Sequence, residues 1–99
     1  MRKIDEQAKN AFMNRERFKS SNTEVVVIDD LPHLYLHNNL IAKVDNNNDL
    51  LINHCGWETR TTRSRLNSLP GVHIKLVKGD FILHKMGHME KGWININRL

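Results

Sequence analysis

The sequence predicts an α+β fold: a small antiparallel β-sheet with one short helix packed across it and an N-terminal helix. Three observations predict it. Short β-branched or alternating segments follow one another from residue 23 onward, separated by turn residues, which is typical of antiparallel strands. Apolar residues recur at helical spacing in residues 4–19 and again in residues 62–69. Ninety-nine residues with 39% hydrophobic content suffice for one domain with a single modest core.

Residues 4–19 form the predicted N-terminal helix. Its apolar residues, among them Ala8 and Phe12, recur near every 3.6 residues, with acidic residues near its start and a lysine at its end, as the helix dipole prefers. The apolar stripe is narrow, so we expect this helix to pack loosely or to fray. We therefore divide the chain into a helical extension, residues 1–21, and a single α+β domain, residues 22–99.

The following segments predict a sheet of roughly five to seven strands. In "HLYLHN", Leu34 and Leu36 point to one face and Tyr35 to the other. Residues that tolerate turns separate the strands, and we place a two-residue hairpin turn at Gly79–Asp80. "NLIAKV" either continues the preceding strand or pairs with it. In chain order the predicted strands are TEVVVI, HLYLHN, NLIAKV, LLIN, VHIKLVK, FILHK and WININ.

The segment "GWETRTTRSRLNSL" contains the second predicted helix, over residues 62–69. Thr61 or Thr62 is its predicted N-cap, because a threonine hydroxyl can accept a hydrogen bond from a free backbone amide of the first turn. Leu66 and Leu69 lie three residues apart and share one face. A Pro-Gly pair follows and ends the helix.

The predicted core consists of the apolar side chains that face inward from these elements. We expect Trp57 to be mostly buried as well, tying the strand before it to the helix after it, so that its replacement by alanine costs about 3–5 kcal/mol. The core residues are Val25, Val27, Leu34, Leu36, Ile41, Leu50, Ile52, Leu66, Leu69, Ile74, Leu76, Phe81 and Leu83.

Composition narrows the class of protein. A net charge of +4 and a pI of about 9.5 favour polyanionic partners mildly, with solubility alone as the alternative explanation. The single cysteine, Cys55, excludes an internal disulfide and indicates a reducing compartment. No segment approaches the roughly 20 apolar residues of a membrane helix, and the N-terminus lacks the apolar core of a signal peptide. We expect a cytoplasmic protein with no membrane contact.

No pattern indicates catalysis. Cys55 and His54 are neighbours on a predicted strand, so their side chains point to opposite faces and cannot act together. His84 and His88 would need a helix to converge on a metal ion, and a glycine lies between them. A glycine-rich phosphate loop is also missing from the sequence. We therefore predict a non-enzymatic protein with no metal and no cofactor.

Arginines crowd the start of the second helix. Free backbone amides and partial positive charge at a helix start suit an anion, and Arg60, Arg63 and Arg65 would reinforce them. The alternative is that they form the solvated side of a helix whose leucines face the core. Arg65 precedes Leu66, so we expect it to be the most structural of the three. Arg60 and Arg63 should be free in solvent.

The outer face of the predicted sheet is the second candidate surface. Tyr35 and Lys75 should lie there among the histidines, His33, His37, His73 and His84, where an aromatic ring can stack on bases and a cation can neutralise phosphate. A solvated sheet face with no ligand is the alternative. The predicted binding residues are Arg60, Arg63, Arg65, Tyr35 and Lys75.

Four segments carry a resemblance to a known family: NTEVVV, LYLHNNLIAKV, GWETRTTRSRLNSL and GVHIKLVKGDFIL. Over residues 22–83 the chain resembles a family of small, functionally uncharacterised tailed-phage proteins. The N-terminal helix lies outside this resemblance, and the final strand with Trp93 departs from the family's usual short hairpin. The resemblance implies phage origin and a compact fold. Its signature positions are Gly56, Trp57, Thr59, Thr61, Thr62, Arg65, Leu66 and Asn67.

These observations predict a small phage-encoded binding protein in the host cytoplasm. It would act on a host or phage macromolecule through its basic surface, either nucleic acid or a protein that handles nucleic acid. The first alternative is a protein–protein inhibitor of a host or defence protein, with a role in host takeover. The second is a binder of a small phosphorylated ligand. A homodimer formed through the N-terminal helix is a further expectation.

Overall fold

The computed structural model describes residues 2–99. Two α-helices and short strands make up this part of the chain, with a run of strands after each helix, in the α+β arrangement that the sequence predicts. The elements are α1 Lys3–Asn14, β1 Phe18–Ser20, β2 Thr23–Ile28, β3 Leu31–Leu36, β4 Asn39–Val44, β5 Leu50–Ile52, α2 Arg60–Asn67, β6 Ile74–Val77, β7 Asp80–Leu83, β8 Gly87–His88, β9 Ile94–Asn95 and a final 3₁₀ turn, Ile96–Arg98.

The strands form two antiparallel sheets rather than one. The first has six strands in the order β1-β2-β3-β4-β5-β9, and the second has three in the order β6-β7-β8. Helix α1 packs against β2 and β3, and α2 packs against α1, β4 and β6. The strand β9 closes the first sheet by pairing with β5 after the chain has built the second sheet. Neither helix between residues 2 and 99 has the length and apolar character needed to span a membrane.

Three hairpins turn through two consecutive residues with positive φ, at Asp29–Asp30, His37–Asn38 and Lys78–Gly79. Such turns match the right-handed twist of the flanking strands and are favoured by Asn, Asp and Gly. The structure therefore separates "NLIAKV" from the preceding strand as its antiparallel partner. The predicted turn at Gly79–Asp80 was wrong by one residue, since Val77 and Asp80 form the closing pair.

Helix α1 is shorter and better packed than predicted. It ends at Asn14, because Arg15 adopts left-handed backbone with φ of 55°, and Phe18 already belongs to β1. Ala8 and Phe12 are fully buried, so the expectation of a loose or frayed helix was wrong. A narrow stripe suffices here because small alanines let the helix approach the sheet closely while Phe12 fills the space between them. The predicted extension shares one core with the rest of the chain.

Helix α2 spans Arg60–Asn67 and so begins two residues before the predicted start. Its N-cap is Thr59, whose hydroxyl accepts the Thr62 backbone N–H at 3.2 Å. Thr61 and Thr62, the two predicted caps, lie inside the helix. Thr62 is buried, and its hydroxyl bonds that of Thr59 at 3.0 Å. Three threonines in four residues all suit a cap, and the extended backbone at Thr59 decides between them.

The hydrophobic core agrees with most of the predicted set. Three of the predicted residues, Val27, Leu50 and Leu76, are only partly buried. A bulge in the pairing of β3 with β4 places both Ile41 and Ala42 inside, which simple alternation does not predict. Buried apolar residues outside the predicted set are Ala8, Ala11, Phe12, Ala42, Val72 and Met89.

Candidate functional site

Arg65 is a buried residue that stabilises the fold. Its side chain is buried with the residue 3% exposed, and its Nη1 atom forms an ion pair with Asp5 of α1. Its Nε–H donates to Thr23 Oγ1 at 2.9 Å, and Ser64 donates to the second carboxylate oxygen of Asp5. The guanidinium therefore joins α2 to α1 and to the start of β2. Arg65 was included among the predicted binding residues, but its charge is neutralised within the core, in agreement with the expectation that it is the most structural of the three arginines.

Other polar side chains of the same segment also hold neighbouring elements. A carboxylate oxygen of Glu58 accepts the Phe81 backbone N–H at 2.7 Å. The Asn67 amide bonds both backbone groups of Ile74, accepting its N–H at 2.7 Å and donating to its C=O at 3.0 Å. The Asn67 bonds hold α2 against Ile74, the first residue of the edge strand β6, and the Glu58 bond holds the segment before α2 against the central strand β7. Glu58 and Asn67 thus stabilise the fold.

Trp57 is exposed, with 57% of its surface accessible, so the expectation of a buried Trp57 was wrong. The backbone turns through positive φ at Cys55 and Gly56 after β5, and this turn directs the indole outward. His54 takes the interior position instead. Its ring meets the Phe81 ring edge-on at 5.8 Å, and its Nδ1 atom accepts the Gly56 N–H at 2.9 Å.

Arg60 and Arg63 carry charges that the fold does not use. Arg60 is exposed and Arg63 is partly exposed. Neither side chain forms an ion pair or hydrogen bond with any of residues 2–99. Glu58, the acidic residue nearest in sequence, is held by Phe81. Two positive charges therefore remain on the surface, three and six residues after the exposed Trp57 in the chain.

A depression of about 260 Å³ lies beside Trp57. It is lined on one side by α2 and its N-cap, including Thr61, and on the other by the β3–β4 hairpin, including His37 and Asn39. We call the surface formed by Trp57, Arg60, Thr61 and Arg63 the helix-start patch. With the two hairpin residues it offers an aromatic face, two guanidinium groups, an amide, an imidazole and a hydroxyl. These groups could contact a ligand that has a planar ring and, close to the ring, a negatively charged group.

Tyr35 and Lys75 do not share a sheet. Tyr35 lies on β3 of the first sheet, partly buried between Glu24 and Leu40, and Lys75 lies exposed on β6 of the second sheet. The expectation of a single outer face was wrong because α2 separates the two sheets in sequence. The histidines divide in the same way. His33 belongs to the first sheet, His73 and His84 flank paired strands of the second at 6.2 Å between ring centroids, and His37 lies in a turn.

Trp93 is a surface aromatic that the predicted site omitted. It lies just before β9, and Lys43 Nζ sits 4.6 Å from its ring centroid. Lys43 projects from β4 in the first sheet, where it pairs with His33 and Leu51. The alternation in "WININ" could have indicated that this tryptophan faces outward, since Ile94 pairs with the buried Ile52.

The histidines, acidic residues and Cys55 do not form a metal-binding or nucleophilic site among the described residues. Within residues 2–99, no three His, Cys, Asp or Glu side chains are close enough to hold a metal ion. The Cys55 thiol contacts the Leu40 carbonyl oxygen at 3.2 Å. Burial raises the pKa of this thiol above its ordinary value, while the positive charge of Lys91 opposes the shift. At neutral pH Cys55 is therefore protonated and poorly nucleophilic.

Comparison with known families gives one match. The family model described as Kyanoviridae Gp96 protein matches residues 1–95. The matched region includes α1 and β9, so it extends beyond the segment, residues 22–83, that carries the resemblance noted from the sequence. No curated protein and no solved structure matches the chain.

Proposed function

The chain belongs to the Kyanoviridae Gp96 family of phage proteins, and we propose that it is a non-enzymatic protein that binds single-stranded nucleic acid through the helix-start patch. One observation carries the proposal. An exposed tryptophan is followed within six residues by two arginines that have no side-chain partner among residues 2–99, in a segment whose other polar groups stabilise the fold. Exposed apolar and unpaired basic groups on one short segment are typical of a surface that meets a polyanion with aromatic parts.

The chemistry of the patch favours a single strand. In single-stranded nucleic acid the bases are free to stack on an aromatic side chain, and each such stack is worth about 1–3 kcal/mol. Arg60 and Arg63 would contact phosphates as the indole of Trp57 stacks on a base. His37 and Asn39 line the depression and can bond the polar edges of that base. A duplex keeps its bases stacked and its edges paired, so Trp57 would have no such role.

The test is the salt dependence of binding to labelled single-stranded oligonucleotides of mixed sequence, measured by fluorescence anisotropy. Arg60→Gln with Arg63→Gln should make the slope of log K against log salt shallower by about 1–2 units, since two phosphate contacts are lost. The matched control is Arg2→Gln with Arg17→Gln, which removes the same charge at exposed positions outside the patch. The control should change the slope little.

Trp57 provides a second readout. In a Trp93→Phe background Trp57 is the only tryptophan, and stacking on a base should quench its fluorescence. Trp57→Ala should weaken binding by about 5- to 150-fold, the equivalent of one stacked base. Equal loss of salt dependence in the patch variant and the control would refute the patch as the site. If this protein shows no affinity for the oligonucleotides and captures a protein instead, nucleic acid is not its ligand.

A further inference from the structure

A second concave surface, larger than the depression beside Trp57, opens between α1, the first sheet and the C-terminal 3₁₀ turn. Its volume is about 810 Å³, within the range of small-molecule sites. The floor is apolar and comes from distant parts of the chain, including Phe12, Pro32, Val44, Leu50 and Ile96. Met13 and Leu99 also line the cleft, and they are 50% and 43% exposed. A ligand with an apolar body would cover side chains that now face water.

The charged side chains that line this cleft, Arg15 and Lys85, are both positive. The imidazoles of His73 and His84 also line it, and no Asp or Glu side chain does, although the chain has 11 of them. Arg15 is held in place, because its Nη1–H donates to the Asp30 carbonyl oxygen at 2.8 Å and its Nη2–H donates to Asn48 Oδ1 at 2.9 Å. Its Nη1 also lies 3.6 Å from the carboxylate of Asp30, which is exposed to solvent and does not line the cleft. A guanidinium has five N–H donors, so others remain for a ligand. Lys85 forms no ion pair within residues 2–99.

We propose that this cleft binds a small organic anion with an apolar body. The apolar lining disfavours a fully hydrated ion such as inorganic phosphate, and the positive side chains of Arg15 and Lys85 favour a negatively charged ligand. Arg15 and Lys85 would contact the acidic group, and the surface between Phe12 and Ile96 would cover the apolar body. The cleft shares no lining residue with the helix-start patch, so this site stands independently of the nucleic-acid proposal.

Two fluorescent probes of nearly the same shape test the proposal. 1-Anilinonaphthalene-8-sulfonate carries a sulfonate, and N-phenyl-1-naphthylamine has the same rings without the charge. The folded protein should bind the sulfonate at one site per chain and at least about fivefold more tightly than the uncharged probe, because only the sulfonate meets the basic rim. Equal affinity for the two probes, or no saturable binding of the sulfonate, would overturn the proposal.

A matched pair of lysines locates the charge. Lys85 and Lys78 are both exposed and both have positive φ, 76° and 51°, but only Lys85 lines the cleft. Lys85→Gln should weaken sulfonate binding about three- to tenfold and leave the uncharged probe unaffected, whereas Lys78→Gln should change neither. Equal effects of the two variants would show that only the overall charge of the protein matters and would overturn the site.

Met13 gives a test of position that does not depend on removing a native charge. It is exposed on α1 and lines the cleft, so either substitution should leave the fold intact. The affinity of the sulfonate for Met13→Lys should be at least about ten times its affinity for Met13→Glu, because the two variants place opposite charges at the same point of the rim. The uncharged probe should bind both alike. If the sulfonate also binds both alike, it lies elsewhere and the proposal fails.

Discussion

Arg65 and Asp5, 60 residues apart in sequence, form a buried ion pair that joins the two helices of this protein. Both side chains are almost completely enclosed; Thr23 Oγ1 accepts from Nε of Arg65, and Ser64 donates to the second carboxylate oxygen of Asp5. No buried side-chain nitrogen or oxygen in residues 2–99 lacks a hydrogen-bond partner. Charges removed from water in this way are tolerated only as a complete set. The pair therefore specifies how α1 is placed against α2.

The first prediction is that truncating either partner destabilises the fold strongly. Asp5→Ala or Arg65→Ala should each lower the free energy of unfolding by about 3–5 kcal/mol, because the other charge is left buried and unpaired. Urea denaturation measures the loss. Arg98→Gln is the control, since Arg98 pairs with Asp49 at the surface and should lose at most about 1 kcal/mol. Similar losses in all three variants would contradict the special cost of the buried pair.

Leu66 should be among the most sensitive core positions. It is fully buried where α2 meets the sheet, so Leu66→Ala should cost about 2–5 kcal/mol through lost burial and the cavity left behind. Leu76→Ala removes the same atoms from a partly exposed position on β6 and should cost clearly less. Chemical denaturation of the two variants gives the comparison. If Leu76→Ala proves the more damaging, the assignment of the core is wrong.

Trp57 should contribute little to stability. Its indole is exposed, so Trp57→Ala should change the free energy of unfolding by no more than about 0.5–1 kcal/mol, in place of the 3–5 kcal/mol expected for a buried tryptophan. Phe81→Ala, which empties a fully buried position, should cost about 3–5 kcal/mol in the same thermal unfolding experiment. A large loss in Trp57→Ala would mean that the indole packs against the fold in solution.

The two free arginines should be dispensable for folding. They lie in the first half of α2, where positive charge opposes the helix dipole. Arg60→Gln with Arg63→Gln should therefore leave the melting temperature unchanged or slightly higher in differential scanning calorimetry. A lower melting temperature with unaltered nucleic-acid binding would show that these arginines bridge elements of the fold and that the functional surface lies elsewhere.

Cys55 should react slowly with alkylating reagents. Burial raises the pKa of its thiol, so at any given pH near 8 a smaller fraction is thiolate in the folded state than in the unfolded state. The midpoint of the pH profile for alkylation by iodoacetamide should lie higher in the folded protein than in urea. Lys91→Gln should move it higher still, because the lysine favours the thiolate. A midpoint below the unfolded value would contradict the dominance of burial.

The strands could be predicted because alternation and turn composition are local signals. Leu34, Leu36 and the Asp29–Asp30 turn illustrate this, since each depends on residues within a few positions. The division into two sheets could not be predicted, because it depends on β9 returning to β5 across more than 40 residues. Strand alternation carries no information on which strand an edge will meet.

The candidate site was harder to predict than the fold for a related reason. The position of Arg65 beside Leu66 predicted that it would be the most structural of the three arginines, but nothing near it in sequence indicates that its partner is Asp5. The exposure of Trp57 was predicted wrongly because Cys55 has positive φ, which a cysteine seldom adopts. The resulting turn ends the alternation of the strand, so His54 and not Trp57 faces the interior. Both errors concern side-chain direction, which tertiary contacts decide.

The ion pair between Asp5 and Arg65 also bears on the order in which the chain folds during synthesis. Helix α1 leaves the ribosome before α2, and its buried carboxylate has no counter-charge until Arg65 follows 60 residues later. At about 5–20 residues per second this delay is roughly 3–12 s. The hairpins β2 to β5 need only neighbouring residues and can form in that interval. Helix α1 thus reaches its final place only after α2 has been made, although it precedes the strands of both sheets in the chain.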